Sequence, residues 1–518
     1  MASMRPISQH LGFLDDDTKR ILSPSSNIED GTKEHSYIYH GRSQRLFFRR
    51  HQGGYVFSLL KYAAILACIL VVGTPILSPS YTRPPQHYQD LESRCQGSFT
   101  EPGCANLFNE QIFISVSLYD EGGHLANGRW GSDLLDLIHL IGHDNVFLSI
   151  YENDSGPEGA EALQSLKTRL LCRYSIVNDP HVPLEEFPTV KLPDGSTRVK
   201  RLAYLSEMRN RALRPLDRFD QNGDTVQYDK ILFLNDVAFN PIDAVQLLFS
   251  TNVGLDGRAH YLSTCAIDFW KPLKFYDLYV LRDFDGYSAG LPFFPIFSNA
   301  GSGVSRAAMV GQKDAVPVKS CWSGMVAMQA KYVQNLNESL PSRNFQDISS
   351  HVINPAQPKN VTAPVRFRYE PEVFVDACEC CLFHADVAQI ARKEGDEEIG
   401  IFVNPYVRVA YEYNVLSWLP WVRRWEKLFN LPHAILSPLV SLPTHNPHRT
   451  VQEGDLFMEE VWVGQGRLGH WELEPRQARN GMFCEVREMQ TIKLGERDNN
   501  VNWENIKIPA GQALHFPT

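Results

Sequence analysis

Twenty-three consecutive residues, Tyr55 to Leu77, read YVFSLLKYAAILACILVVGTPIL, and they limit every arrangement of the rest of the chain. As a helix they rise ~35 Å at about 1.5 Å per residue, enough to cross a hydrocarbon core of roughly 30 Å. Lys61 sits in the first third, where a lysine can snorkel to the headgroups. Gly73, Pro75 and the near absence of polar residues disfavour a buried core helix. The run also starts too far into the chain for an ordinary cleaved signal. Arg42, Arg45, Arg49 and Arg50 precede it closely, and only Arg83 and Arg94 follow. The positive-inside rule therefore keeps residues 1–54 in the cytosol and sends the rest across. No later segment matches the run in length and apolarity, so the expectation is a single-pass signal anchor of type II, with the body in a secretory lumen.

Charge and cysteine content agree with that placement. The net charge is −10, and no basic block occurs outside the amino terminus, which argues against nucleic acid as a partner. Of 10 cysteines, Cys68 lies in the apolar run and nine remain where disulfides persist. Cys95 and Cys104 bracket a short Gly/Pro loop and are a candidate pair. Cys378, Cys380 and Cys381, with His384 nearby, suggest either zinc or disulfides; their spacing fits no C-x₂-C ligand pattern, which favours disulfides. Sequons begin at Asn153, Asn337 and Asn360, the candidate glycosylation sites.

Residues 78–110 are polar and broken by Pro and Gly, and read as a stem. From residue 111 apolar runs alternate with helical periodicity. QIFISVSLYDEGG is strand-like and RWGSDLLDLIHLIG helical; NVFLSIY is again a strand, and in the helix after it Ser155 is the expected cap with Pro157 in the first turn. YSIV, the helix RLAYLSEMRNRALRPL and the strand KILFL complete the pattern. Such alternation predicts βαβ units and a mainly parallel sheet with flanking helices. Ligands of these sheets bind at the carboxyl ends of the strands. The loops there are Asp120-Glu121, Glu152-Asn153-Asp154 and Asn235-Asp236, an edge suited to a cation, a cationic substrate or sugar hydroxyls. Neither GxGxxG nor GxxxxGK[ST] is present at that edge.

A carboxylate after a buried strand is commonly a turn or cap residue, but it is also what a nucleotide-sugar transferase uses to hold Mn²⁺ or Mg²⁺ against a diphosphate. In FLNDV the ligand would be Asp236, with Asn235 as a neutral departure from a D-x-D pair. Arg209 and Asn210, on the helix before that strand, could face a nucleotide or be solvated helix residues. Downstream, Asp268, Asp277, Asp283 and Asp285 are interleaved with Trp270, Tyr276 and Tyr279, a mixture suited to sugars and equally to a core strand and loop. Trp322 stands in a tight apolar-flanked turn; Glu379 and His384 are candidates for acid, base or metal duties, a buried structural histidine being the plain alternative.

In order, FISVSLYDEGG, VFLSIYENDSGPEGAEAL, RLAYLSEMRNRALRPL, KILFLNDVAF, AIDFWKPLKFYDLYVLRDFDG, VKSCWSGMVAM, VRFRYEPEVFVDACECCLFHADV and IFVNPYVRVAYEY resemble the fungal capsule-associated α-1,3-mannosyltransferases, the cryptococcal type of glycosyltransferase family 69. The resemblance covers roughly residues 110–415. It implies a GT-A-like fold and a retaining transfer of mannose from GDP-mannose to a mannoside or polysaccharide acceptor, with a divalent metal, Mn²⁺ or Mg²⁺, in the Golgi or another secretory membrane. By the same resemblance Asp236 would hold metal and diphosphate beside Asn235, and Arg209 and Asn210 would face the nucleotide. Asp268, Asp283 and Trp322 would belong to the substrate pocket, and Glu379 would stand with Asp236 as a catalytic candidate. Where family members often carry serine and glycine after SIYE, this chain has Asn153-Asp154. The expected division is a cytosolic tail 1–54, anchor 55–77, stem 78–110, transferase domain 111–415 and C-terminal extension 416–518, the last a structural cap with LSWLPWVRRWEKLF as an amphipathic helix for the core or the lumenal membrane surface. The alternatives are a non-catalytic component of a polysaccharide synthesis or export assembly, which Asn235 keeps open, and a glycoside hydrolase, which would need no diphosphate site.

Overall fold

The computed structural model describes residues 45–96, 101–217, 226–334, 361–396, 399–464, 469–493 and 502–509. Ten strands form the central sheet: β1 Ile112–Leu118, β2 Val146–Asn153, β3 Arg173–Asp179, β4 Lys230–Leu234, β5 Ser263–Lys271, β6 Lys274–Phe275, β7 Arg282–Asp283, β8 Val316–Ser320, β9 Met325–Gln329 and β10 Ile401–Ala410. Their order is β3-β2-β1-β4-β9-β5-β10-β8-β7, with β6 paired to β5. The block β3-β2-β1-β4 is parallel, as is the pair β5-β10. Strand β9 runs against both its neighbours, β4 and β5. The mixed α/β fold with a mainly parallel sheet is the one expected, and its reversed strand matters for the site. Because β9 is antiparallel, its amino end lies on the same edge as the carboxyl ends of β1, β4, β5 and β10.

Alternation along each strand explains the two-sided core. Ile112, Ile114, Val116 and Leu118 face one layer, with Leu232 and Leu234; Phe113, Ile231 and Phe233 face the other. The first layer is closed by helices α3 (Arg129–Ile141), α4 (Gly156–Arg169) and α6 (Pro241–Ser250). In α3, Leu134, Leu137, Ile138 and Ile141 recur at helical spacing and are buried. Helix α6 opens on Asn240, whose side chain accepts from the Ile242 N–H, with Pro241 in the first turn. The second layer carries α5 (Arg201–Leu213) over β1 and β2, and α8 (Glu379–Glu394) over β8. Helix α7 (Val304–Val310) also packs on β8.

Two expectations change. Residues 78–110 are not a loose stem: helix α2 (Gln86–Gln96) buries Tyr88, Leu91 and Cys95, and Tyr81 is buried with its hydroxyl on Met309 O at 2.9 Å. Polar and Pro-rich composition hid a few aromatic anchors. Ser155 does not cap α4 with its side chain; its hydroxyl accepts from the Asp120 N–H at 2.8 Å, tying two loops together. The extension 416–518, expected as a structural cap, packs into the body. Cys381–Cys484 joins it to α8, and the short ribbon Gln490–Ile492 with Trp503–Asn505 lies beside α5.

Helix α1, Arg45–Leu77, contains a span, Phe57–Leu77, long and apolar enough to cross a membrane, and none of that span is buried. The helices α9 (Tyr413–Val422) and α10 (Asn430–Leu439) follow β10 and are joined by a 3₁₀ segment, Arg423–Phe429.

Candidate active site

Strand β4 is buried along its length and ends at Asn235 and Asp236, both half-buried. Asn235 has its main chain fully engaged: its N–H donates to Gly324 O at 2.8 Å, and its carbonyl accepts from Trp130 Nε1 at 3.1 Å. That leaves its side chain for the rim. Gly324 has φ +72°, and a Cβ there would stand 2.5 Å from Val237 Cγ1, so glycine is required where β9 begins beside β4. The turn before it carries Trp322 beneath the edge, 2% exposed.

Above Trp322 lies Arg209 of α5, its guanidinium 4.6 Å from the ring centre and its Nε donating to Glu379 Oε1 at 3.1 Å. Stacking and ion pair together fix the direction of a charge that lines the cleft. Glu379 is buried as the first residue of α8. Behind it Cys381 is committed to its disulfide, while Cys378 and Cys380 remain free and flank the carboxylate.

A second set comes from the β5–β6 hairpin. Asp277 Oδ2 accepts from the Ser323 N–H at 3.1 Å, and Asp268 Oδ1 accepts from the Asp277 N–H at 3.1 Å. Tyr411, just past β10, donates its hydroxyl to Asp268 Oδ2 at 3.0 Å. Burial, reinforced by the charge of Asp277, pushes Asp268 up to about 7. Burial likewise pushes Asp277 up to about 6. Asp236 is also raised by burial, with Arg209 pulling in the opposite direction. Low polarity around three carboxylates favours their protonated forms, and an added cation would reverse that.

Arg201, Arg209, Asn235, Asp277, Trp322 and Glu379 line a small open cleft with a volume of about 60 Å³, and Asp236, which follows Asn235, is not among the lining residues. Arg201 is held by Gln490 Oε1 at 2.6 Å and lies over Trp503, so the C-terminal ribbon forms one wall.

Several sequence candidates lie elsewhere. Asn210 does not face the cleft: both ends of its amide are bonded to the backbone of Phe367, each at 2.9 Å. Asp283 Oδ1 accepts from the N–H groups of Asp285 and Tyr287, which makes it a turn residue outside the cleft lining. Asp268 supports the cleft from beneath through Asp277 and Tyr411. Asp120 is spent on the N–H groups of Leu125 and Ala126. Asn153 is 6% exposed and its amide donates to Asp154 and Tyr204, so the folded chain leaves no room for a glycan there. Asn337 and Asn360 lie outside the described residues. His384 bonds Ser263 Oγ and Cys380 O, and burial lowers it to about 4, a neutral structural imidazole. Cys265 and Cys321 beside it form a disulfide, so this group is not a zinc site. The expected Cys95–Cys104 pair is present.

Asp277, Tyr411, Arg201 and Gln490 are the lining or supporting residues that sequence reasoning did not assign. Only Asp277 left a signal, as one acid among aromatics. The other three depend on which strand ends meet.

Residues 111–386 match the family described as cryptococcal mannosyltransferase 1. No curated protein sequence matches the chain. Among solved structures, a mannosyltransferase from Pyrobaculum calidifontis in complex with GDP-Man and Mn²⁺ aligns over 68% of each chain, at 11% identity and a TM-score of 0.29, too remote a likeness to carry its ligands over.

Proposed function

The chain belongs to the cryptococcal mannosyltransferase 1 family, and from that premise we propose that it transfers mannose from GDP-mannose to a mannoside of a fungal cell-surface polysaccharide or glycan, in α-1,3 linkage with retention. The observation that carries the reading is Arg209, held between Glu379 and Trp322 in a cleft that Asn235 at the β4 end also lines, with Asp236 the next residue along the chain. A sugar nucleotide needs compensation for its diphosphate and a flat, hydrogen-bonding bed for its sugar. Arg209 supplies a fixed positive charge for the first; Asp277, with the Tyr276 and Trp322 rings, supplies the second.

Asp236, Asn235 and Asp277 offer oxygen donors, which suits Mg²⁺ or Mn²⁺, and the proton affinity that burial gives Asp236 is the imbalance such an ion relieves. Once bound, that ion would supply charge neutralisation at the departing diphosphate. In the transfer, the bond from the sugar anomeric carbon to phosphate oxygen breaks and one to the acceptor oxygen forms. With retention on a single face, the acceptor proton passes to the departing phosphate oxygen, and no dedicated base is required. Arg209 orients the donor, and Glu379 acts by holding Arg209.

Placement as a single-pass type II protein of the Golgi or another secretory membrane is part of the proposal. Its support is the arginine excess before the apolar run and three disulfides, which persist in oxidising compartments.

The test uses the full chain in lipid nanodiscs, offered GDP-mannose, UDP-glucose, UDP-galactose or UDP-xylose with α-mannobiose, with Mn²⁺ or with chelator. Metal-dependent consumption of GDP-mannose with a new α-1,3 linkage is the expected result. Asn235, neutral where an acid would strengthen cation binding, favours a second reading as a non-catalytic component. Absence of both turnover and metal-dependent donor binding would select it.

A further inference from the structure

Helix α1 enters the folded body without a spacer. Ser80, three residues beyond Leu77, is already buried, and Tyr81 is fixed in the core. Along the end of α1 runs the 3₁₀ segment Arg423–Phe429. Trp425 donates its indole N–H to Val71 O at 2.9 Å, and Lys427 Nζ reaches Ser78 Oγ at 3.2 Å. Val71 lies about 9 Å back from Leu77 along the helix axis, at roughly 1.5 Å per residue. The segment therefore descends beside the apolar helix instead of stopping where it ends.

On either side of that segment stand α9 and α10, both fixed from within. Val415 and Leu419 anchor α9 in the core. Arg408 grips Glu426 through two hydrogen bonds, at 2.5 and 3.0 Å. His433 of α10 accepts from Arg306 at 3.0 Å and reaches Ile296 O at 3.1 Å. Beside the exposed Asn414, Ser417 and Arg424, six large apolar residues face outward: Trp418, Trp421, Leu431, Ile435, Leu436 and Leu439, the last 73% exposed. Apolar displays this large mark interaction sites, and Trp with adjacent cations is characteristic of the membrane–water boundary. Arg424 stands 5.7 Å over Trp421.

We propose that the outer faces of α9 and α10 rest in the phospholipid leaflet that α1 leaves, so that the body is seated on the bilayer by anchor and hairpin together. The occupant is lipid because the face continues the exposed surface of the apolar helix at the depth Trp425 reaches. This rests on α1 crossing a membrane and is independent of donor and acceptor.

The full chain would be reconstituted in nanodiscs of phosphatidylcholine containing a fraction with a diazirine on the acyl chain, irradiated, and its adducts mapped by mass spectrometry. Adducts are expected in Tyr413–Val422 and Asn430–Leu439 as well as in α1, several-fold more per residue than in the exposed positions of α4. The double variant W421S/L439S should lose hairpin adducts several-fold while keeping those of α1. Adducts confined to α1 would overturn the proposal with the anchor intact. Absence of adducts in α1 itself would overturn the anchor reading and this one with it.

Discussion

Asp236, the proposed metal ligand, sits where burial disfavours its charge. Burial raises its proton affinity, and Arg209 offsets only part of the effect. Asp236→Asn should therefore lower transfer by about a hundredfold or more, as removal of a group stabilising developing charge does. The metal-free fold should keep its stability at neutral pH, because a carboxylate raised by burial contributes stability only at low pH. Initial rates and a thermal melt of the variant check both halves; wild-type turnover would remove Asp236 from the mechanism. A second test concerns Asp268, which titrates at about 7 against an ordinary 3.8. Between these values the folded state keeps a proton that the unfolded state has released, so stability falls as pH rises through that window. His384 and His433, both lowered to about 4, act oppositely and remove stability as pH falls below the ordinary 6.5. Asp268→Asn should leave that acid limb and flatten the decline toward neutrality, seen as a smaller loss of Tm between about pH 5 and about pH 8. Asp236 stood out in the sequence because an acid after a wholly buried strand is conspicuous; Asp277, which lines the cleft, did not, because its place depends on a Ser323 N–H just before another strand.

At the scale of elements, the strand–helix alternation was readable from apolar spacing, and every sheet strand named from it lies where expected. Strand direction was not readable. Nothing in VKSCWSGMVAM states that β9 will insert in reverse between β4 and β5, yet that reversal brings Trp322 and Gly324 to the cleft. Asn210 shows the converse: its helix was right, but one residue's rotation of about 100° around that helix separates Arg209, which lines the cleft, from Asn210, which clamps the Phe367 backbone. The ribbon bearing Gln490 depends on Cys381–Cys484, which closes a sequence separation of 103 residues. Removing a link of that span costs about 2–5 kcal/mol in small secreted domains. Cys484→Ser should lower the urea midpoint accordingly and, by freeing Gln490 from Arg201, weaken donor binding more than it weakens the sheet. Equilibrium unfolding and donor titration on the same preparation separate the two effects.

At the scale of the molecule, the C-terminal residues complete one body with the sheet. Gln490 N–H donates to Asp376 at 2.7 Å, Asp376 pairs with Lys200 at 2.9 Å, and Arg368 reaches Asn480 O at 3.0 Å. A chain ending at Asp455 would leave Asp376 and Arg368 with part of their partners missing, a costly state for buried charges. Such a chain should be recovered mainly as aggregate; a monodisperse product that binds GDP-mannose would show that the extension is dispensable. Composition marked residues 78–110 as a tether because Pro, Gly and polar residues dominate them, and so few aromatic anchors leave no periodic trace. The burial of Ser80 directly after α1 bears on traffic. A catalyst on a long leash sweeps a hemisphere and can find its acceptor anywhere within reach. If α1 crosses a membrane as proposed, this body would work at a fixed height, and an acceptor would have to come down to the bilayer to be extended, turning their meeting into a search close to one plane.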